Sequence, residues 1–483
     1  MVESNTQSRE GLYWLKIVIG LAFMFGFGFL PGFSTLTPVG MQVLGIFIGL
    51  CWLWTTADLV WPSVLGLTAL ALSDYGTMGK VLASSFGNDT VVMMIFITAI
   101  VAVLDSAGLN NFIANWFLQR KLMTRGPWLF TLVWFFSVWF LAAFSNAFVA
   151  ILLFWSLFYT LAGRLGIALD SKYAVSMLAG TGMIASLVLA FWPFKSLALI
   201  LLGTFQNITH MEINMLLYML VMFLMTVAVI VLYTAAMRFI IRVDVSPLSK
   251  LNADNLAMTD QVPLTKRQKF LLGFLAIFIL LMIVPSLIPK TWLLGQLLSK
   301  IGSSGMVMLL FAFLAVWKVE GEALLQFQVV KNQITWDLVF LVAAAMAIST
   351  AMTAEETGIK PFMSAILDPI FSGAGATMFI ILICFVALIL TNVANNAVIG
   401  LLLINVIVVY ASQFAVNMPG AVVLMIFCSA IAFVFPSSSV MGAIIYGNPY
   451  LKSRTILQYA LLMVLIAFIV VCLVGIPLVN WLF

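Results

Sequence analysis

The chain is poor in charge and nearly devoid of histidine. Of its 483 residues only 8% are Asp, Glu, Lys or Arg, one is His, and 64% are hydrophobic. A soluble domain carries about 25% charged residues, so there is too little polar surface here for a water-soluble enzyme. Four cysteines (Cys51, Cys384, Cys428 and Cys472) all lie in apolar stretches without a CxxC pair. That argues against a zinc site or a disulfide framework, and buried filler is the better reading. HExxH, GxSxG and an acid–base pair in the apolar core are all missing, which argues against an intramembrane enzyme. Short alternating strands are missing too, so the chain is not a barrel.

What is present is a succession of long apolar runs. At about 20 residues per crossing the length allows about a dozen spans, and the chain reads as an all-α polytopic membrane protein. Met1 to Gly11 is polar and of mixed charge, with no cleavable signal evident. Spans fall near Leu12–Leu30, Val39–Thr56, Leu59–Ser73 and Thr90–Ala107. Uncharged blocks follow at Gly126–Gly163 and, interrupted only by Lys195, at Tyr173–Thr209, and then a span at Ile213–Met237. The polar connection Arg238–Lys269 divides the chain into halves. The second half offers Phe270–Ile288, Thr291–Trp317, Thr335–Met352, a stretch from Pro369 to Leu451 without a single charged residue or histidine, and Ile456–Leu482.

The net charge of +5 does not point to nucleic acid, because cytoplasmic loops of membrane proteins accumulate Lys and Arg. With the N-terminus inside and Gly126–Gly163 as a re-entrant hairpin, most cations face the cytoplasm, from Arg9 and Lys16 through Arg120, Lys121, Arg238 and Arg242 to Arg454. Only Lys80, Lys290, Lys300 and Lys360 then face outward, and the C-terminus lies outside.

The halves repeat. At a displacement of about 250 positions, Asp89 to Leu109 lies over Trp336 to Ile359, and Phe144-Ser145-Asn146-Ala147 over Ala394-Asn395-Asn396-Ala397. Ala190-Phe191-Trp192-Pro193 pairs with Ala432, Phe433 and Pro436. The orientation above makes the two copies antiparallel, and inverted repeats with broken helices are the mark of secondary transporters.

Ser145-Asn146 and Asn395-Asn396 each sit in the middle of an uncharged block about twice a spanning length. Two helices joined at a polar tip near mid-membrane fit that arrangement, and such a turn must line a cavity or be buried in protein. The helix starting at the tip directs partial positive charge toward it, which favours anions. Glue between packed spans is the other reading. Two breaks follow the tips, Trp192-Pro193-Phe194-Lys195-Ser196 and Phe435-Pro436-Ser437-Ser438-Ser439, where proline removes a backbone donor. The serines read either as a lining loop or as a simple kink with hydroxyls bonded back to the helix. A cation at the bilayer centre costs about 2.5–3.5 kcal/mol on insertion scales. Lys195 therefore reads as an anion ligand or a substitute for a bound cation, ahead of an ion pair with Asp58, Asp105 or Asp337 and ahead of snorkelling. Thr265 to Gln268 forms a capping-box pattern, and Gly45 and Gly49 form a GxxxG packing face. The sequons at Asn88 and Asn207 read as chance, and His210 as incidental.

The whole pattern resembles the divalent anion–sodium symporter family, the dicarboxylate and citrate carriers. The resemblance rests on Leu264-Thr265-Lys266-Arg267-Gln268 after the linker, Thr391-Asn392-Val393-Ala394-Asn395-Asn396-Ala397, and Ile445 to Ser453. It implies about eleven spans plus two hairpins and a scaffold that dimerises around an elevator-like transport domain. Residues 1–120 and 268–360 then belong to the scaffold, 121–212 and 361–483 to the transport domain, and 213–267 to a span and linker. It also implies substrate contacts from Ser145, Asn146, Ala147, Lys195, Ser196, Asn395, Asn396, Ala397, Ser437, Ser438 and Ser439. A sodium position, if the chain uses one, falls near Asn392, Asn395 and Ser437. Where the family has Ser-Asn-Thr at each tip, this chain has alanine at positions 147 and 397. The expected function is elevator transport of succinate, fumarate, 2-oxoglutarate or citrate by sodium-independent exchange, with Lys195 replacing a cation. Sodium-coupled symport is the alternative. A cation–proton antiporter ranks lower, because it needs a carboxylate in the hairpins or broken helices.

Overall fold

The computed structural model describes residues 2–32, 34–118, 120–251, 263–286, 288–289, 291–371, 375–411 and 416–483. Lys290 and residues 252–262 of the central linker lie outside this set. The described residues are helical almost throughout, as uninterrupted apolar sequence requires where backbone groups can be satisfied only within a segment. Polar residues at the span borders set the helix starts. Thr37 accepts from Gly40 N ahead of Pro38–Thr56, Ser171 from Ala174 N ahead of Lys172–Ser186, and Asn214 from Leu216 N ahead of Met215–Ala236. Thr265 and Gln268 make the expected reciprocal capping box at the head of Lys266–Ile283.

Among the described residues, eight helices are long and apolar enough to cross a membrane, or nine if Met78–Ser84 and Asp89–Leu104, bent by 51°, count as one span. The protein is thus an all-α polytopic membrane protein, apart from a ribbon pairing Lys318–Val319 with Glu322–Ala323. The shortfall from eleven has a physical reason. The second hairpin (Ala376–Leu390 and Asn396–Ala411) and the segments around the breaks (Leu197–Thr209, Met418–Ser429) are shorter apolar helices. The first hairpin differs from its counterpart, since its arms Pro127–Phe144 and Ala147–Leu165 are each of spanning length. Leu293–Val316 is also less regular than its hydropathy foretells, with Gly302 at φ 68° interrupting it.

The order of elements recurs in the two halves. Asp89–Ser106 and Trp336–Thr353 each end near a glycine of positive φ, Gly108 at 70° and Gly358 at 64°. A short helix follows (Leu109–Leu118, Ile359–Phe371), then the hairpin, the broken helix, and a final long helix (Met215–Ala236, Ser453–Val470). Aligning on the left-handed glycine, which most other residues would strain, superimposes the two copies in sequence.

Close backbone contact joins the halves. Thr37 N donates to Thr357 O at 3.2 Å and Thr37 Oγ1 to Glu356 O at 2.8 Å, while Gln268 Nε2 donates to Ala107 O at 2.9 Å. Gly40 lies against the Thr357 carbonyl, and a Cβ there would collide with it. The GxxxG face behaves as expected: a Cβ on Gly49 would stand 2.7 Å from Gly20 O and one on Gly45 2.7 Å from Phe23 O, so the first two helices touch through their backbones. Overpacking of this kind costs about 1–3 kcal/mol. Gly40→Ala is expected to lower the thermal midpoint of the purified protein in detergent. Gly163→Ala, with open space around its Cβ, is expected to hold or raise it.

Candidate functional site

At the first tip the chain turns through Ser145 and Asn146. Asn146 Oδ1 accepts from Phe148 N at 3.0 Å and caps the returning arm. Ser145 is buried, with its Oγ donating back to Leu141 O at 2.9 Å, and Ala147 is buried beside it. The last carbonyls of the entering arm have no helical partner and carry the negative end of its dipole. Lys195 meets them. Its Nζ donates to Ser145 O at 2.7 Å, Ala143 O at 2.9 Å and Ala142 O at 3.4 Å. An ammonium has three protons to give, and these three carbonyls match them. The break delivers the lysine, because Lys195 is extended (φ −108°, ψ 140°) between Trp192-Pro193-Phe194 and the helix Ser196–Thr209. Aromatic contacts hold the break against the arm, Phe191 on Trp139 at 4.8 Å and Trp192 on Phe144 at 5.8 Å. Ser196 opens the next helix, and its side chain lies outside the described residues, as does that of Asp105.

The second tip is fastened in the reverse sense. Asn392, buried at the end of the entering arm, donates through Nδ2 to Leu388 O and Ile431 O, both at 2.7 Å. Its Oδ1 accepts from Phe433 N at 2.9 Å and Val434 N at 2.8 Å. Thr391 Oγ1 adds a bond to Ser429 O at 3.0 Å. The amide of Asn392 is thereby spent on backbone, four bonds in a buried place. Asn395 and Asn396 both accept from Ala397 N, at 3.0 and 2.9 Å, and cap the returning arm. Of the three serines, Ser438 is buried and donates to Phe435 O at 2.6 Å. Ser439 donates to Ala432 O and caps Val440–Tyr446 through Gly442 N. Ser437 is exposed.

A cavity of about 400 Å³ opens where the second tip, the second break and the first half meet, lined by Val393, Ala394, Asn395 and Ser437 together with Trp54, Thr55, Ala57 to Val60 and Asp337. Its volume lies within the usual range for small-molecule sites, about 300–1,000 Å³. Asn395 and Ser437 thus come together, whereas Ser145, Asn146 and Lys195 do not line this cavity. Lys195 borders a separate crevice of about 30 Å³ with Ala143, Phe144 and Trp192. Asp58 and Asp337, weighed from the sequence as partners for Lys195, instead supply the charged groups of the larger cavity. Asp58 also caps Val60 N at 2.6 Å. Two span-end carboxylates remote in sequence gave no signal of convergence, and the repeat alignment offers none. The same holds for Asn392, whose four-bond role is visible only once the break folds over it.

Replacing the Asn392 amide strands two N–H and two carbonyl groups, each costing about 1–3 kcal/mol when buried unpaired. Asn392→Ala is expected to lower the unfolding midpoint in detergent well beyond the effect of Asn396→Ala, whose single capping bond lies at a half-buried position. Equal midpoints for the two variants would contradict this.

No curated protein matches the chain. Residues 49–432 match the model of a family described as citrate transporter, a span that takes in the first hairpin, both tips and every residue lining the cavity except Ser437. The chain is a multi-pass membrane protein that belongs to the citrate transporter family, within the divalent anion–sodium symporter group.

Proposed function

We propose that the protein exchanges citrate and related di- and tricarboxylates across the membrane by an elevator movement, without sodium. The observation that carries this reading is the cradle of three backbone carbonyls around the Lys195 ammonium. Carbonyls converging at the C-terminal end of a helix are the surroundings in which an alkali cation binds. Here a side chain of the protein fills that place. The ammonium is committed to carbonyls, so it acts on a substrate carboxylate through its field at the tip, with the capped start of Ala147–Leu165 adding its own positive end.

In this reading, residues 121–212 and 361–483 move against 1–120 and 268–360, and the chain works as a homodimer with its N-terminus in the cytoplasm and its C-terminus outside. The bonding pattern supports the division. Tyr233 donates to Ser176 O at 3.0 Å, Ser176 Oγ to Tyr459 at 2.9 Å and Asn448 to Tyr159 at 2.8 Å, which tie the first hairpin and its broken helix to the segment after the second break and to Ser453–Val470. Met215–Ala236 travels with them, since Tyr218 and Tyr233 bond to the first broken helix. A sodium-coupled symporter is the second reading. It is favoured by the larger cavity, where Asp58, Asp337, Asn395 and Ser437 present oxygen atoms and no lysine is among the lining residues.

Counterflow of labelled citrate into proteoliposomes separates the two. Exchange is expected at full rate in sodium-free buffer and to fall at least about tenfold in Lys195→Ala, a loss corresponding to about 1.4 kcal/mol. Sodium-dependent uptake that survives Lys195→Ala overturns the reading in favour of symport.

A further inference from the structure

The helix Ser196–Thr209 leaves the first break and lies between the start of Asp89–Ser106 and the helix Trp336–Thr353. Its contact face is set by Gly203, where a Cβ would run into Thr90, and one turn on by Asn207. The Asn207 amide reaches two elements at once: Nδ2 donates to Thr350 Oγ1 at 2.9 Å and Oδ1 accepts from Asn88 Nδ2 at 3.1 Å. Asn88 is itself held by Thr90 N on its Oδ1 at 2.9 Å, and Thr350 by Met346 O at 2.9 Å. Thr204 Oγ1 adds a weak contact to Met346 Sδ at 3.8 Å.

These bonds differ in kind from those inside each body. Lys195, Asn392, Tyr218 and Tyr233 bond to buried backbone groups that nothing else can satisfy. The Asn207 bonds join half-buried side chains whose partners water can replace, so each adds little net stability. A boundary held this way opens without unfolding either side. We infer that Asn207, with Asn88 and Thr350, is a polar latch that holds the carrier in the conformation described here, with the 400 Å³ cavity open, and that it is released in each transport cycle. This rests on the two-body division proposed above. It also gives the paired sequon asparagines a role, since each spends its amide on the other's side of the boundary.

The test reads conformation apart from transport. A reporter cysteine replaces Val393, which lines the cavity and is 63% exposed, in a background where the four native cysteines are serine or alanine. Its labelling rate by a membrane-impermeant maleimide is measured in proteoliposomes. Asn207→Ala is expected to slow labelling about tenfold, and Thr350→Val and Asn88→Ala about threefold each, with Asn207→Ala in a Thr350→Val background no slower than Asn207→Ala alone. Because Thr350→Val is isosteric, it keeps the experiment decisive if Asn207→Ala does not fold. Unchanged labelling in Thr350→Val and Asn88→Ala overturns the latch. Failure of the transport reading shows separately, as absent citrate counterflow in the otherwise unaltered protein.

Discussion

A helix that ends in the protein interior leaves carbonyl groups without an intrahelical partner, and the architecture of this protein is organised around that constraint. It arises twice, at the two hairpin tips, and is met by opposite means. In the first half the break reaches to the arm, with Lys195 delivering three charged donors to the carbonyls of Ala142, Ala143 and Ser145. In the second half the arm reaches to the break, with Asn392 donating to Ile431 and accepting from Phe433 and Val434. One solution imports a charge and the other remains neutral. Both bind the tip to the break that follows it, and neither fastening can part without exposing buried polar groups.

The neutral solution adds no positive charge at the second tip, and no Lys or Arg is among the described residues that line the cavity there. There the wall is completed by helix ends of the first half and by Asp58 and Asp337. The repeat therefore yields two tips of matching element order and different electrostatics. The first is closed and cationic. The second is open and carries carboxylates.

Much of this was legible in the sequence because it depends on local pattern. Apolar runs give helices, Gly45 and Gly49 mark a close helix pair, Thr265 and Gln268 a cap, and Ser145-Asn146 and Asn395-Asn396 the two turns. Recurrence of Gly108 and Gly358 at matching places reflects a backbone conformation that few other residues adopt. What stayed hidden depends on which chain ends meet in space. Asp58 and Asp337 look like ordinary span borders until the cavity brings them beside Asn395. Asn392 looks like an ion ligand until the break folds over it and consumes its amide. Ser437, Ser438 and Ser439 are adjacent in sequence, yet two of them bond back to the backbone and one faces the cavity, a distinction set by a single turn.

The covalent attachment of the Lys195 ammonium has an electrical corollary. A diffusible ion can be left behind on one side of the membrane, but a tethered one cannot, so any displacement of the first hairpin along the membrane normal carries positive charge through the field. A voltage of 100 mV acts on one such charge with about 2.3 kcal/mol. An anion travelling with such a hairpin would offset that work in proportion to its own charge, so the potential would act differently on the occupied and the vacant hairpin.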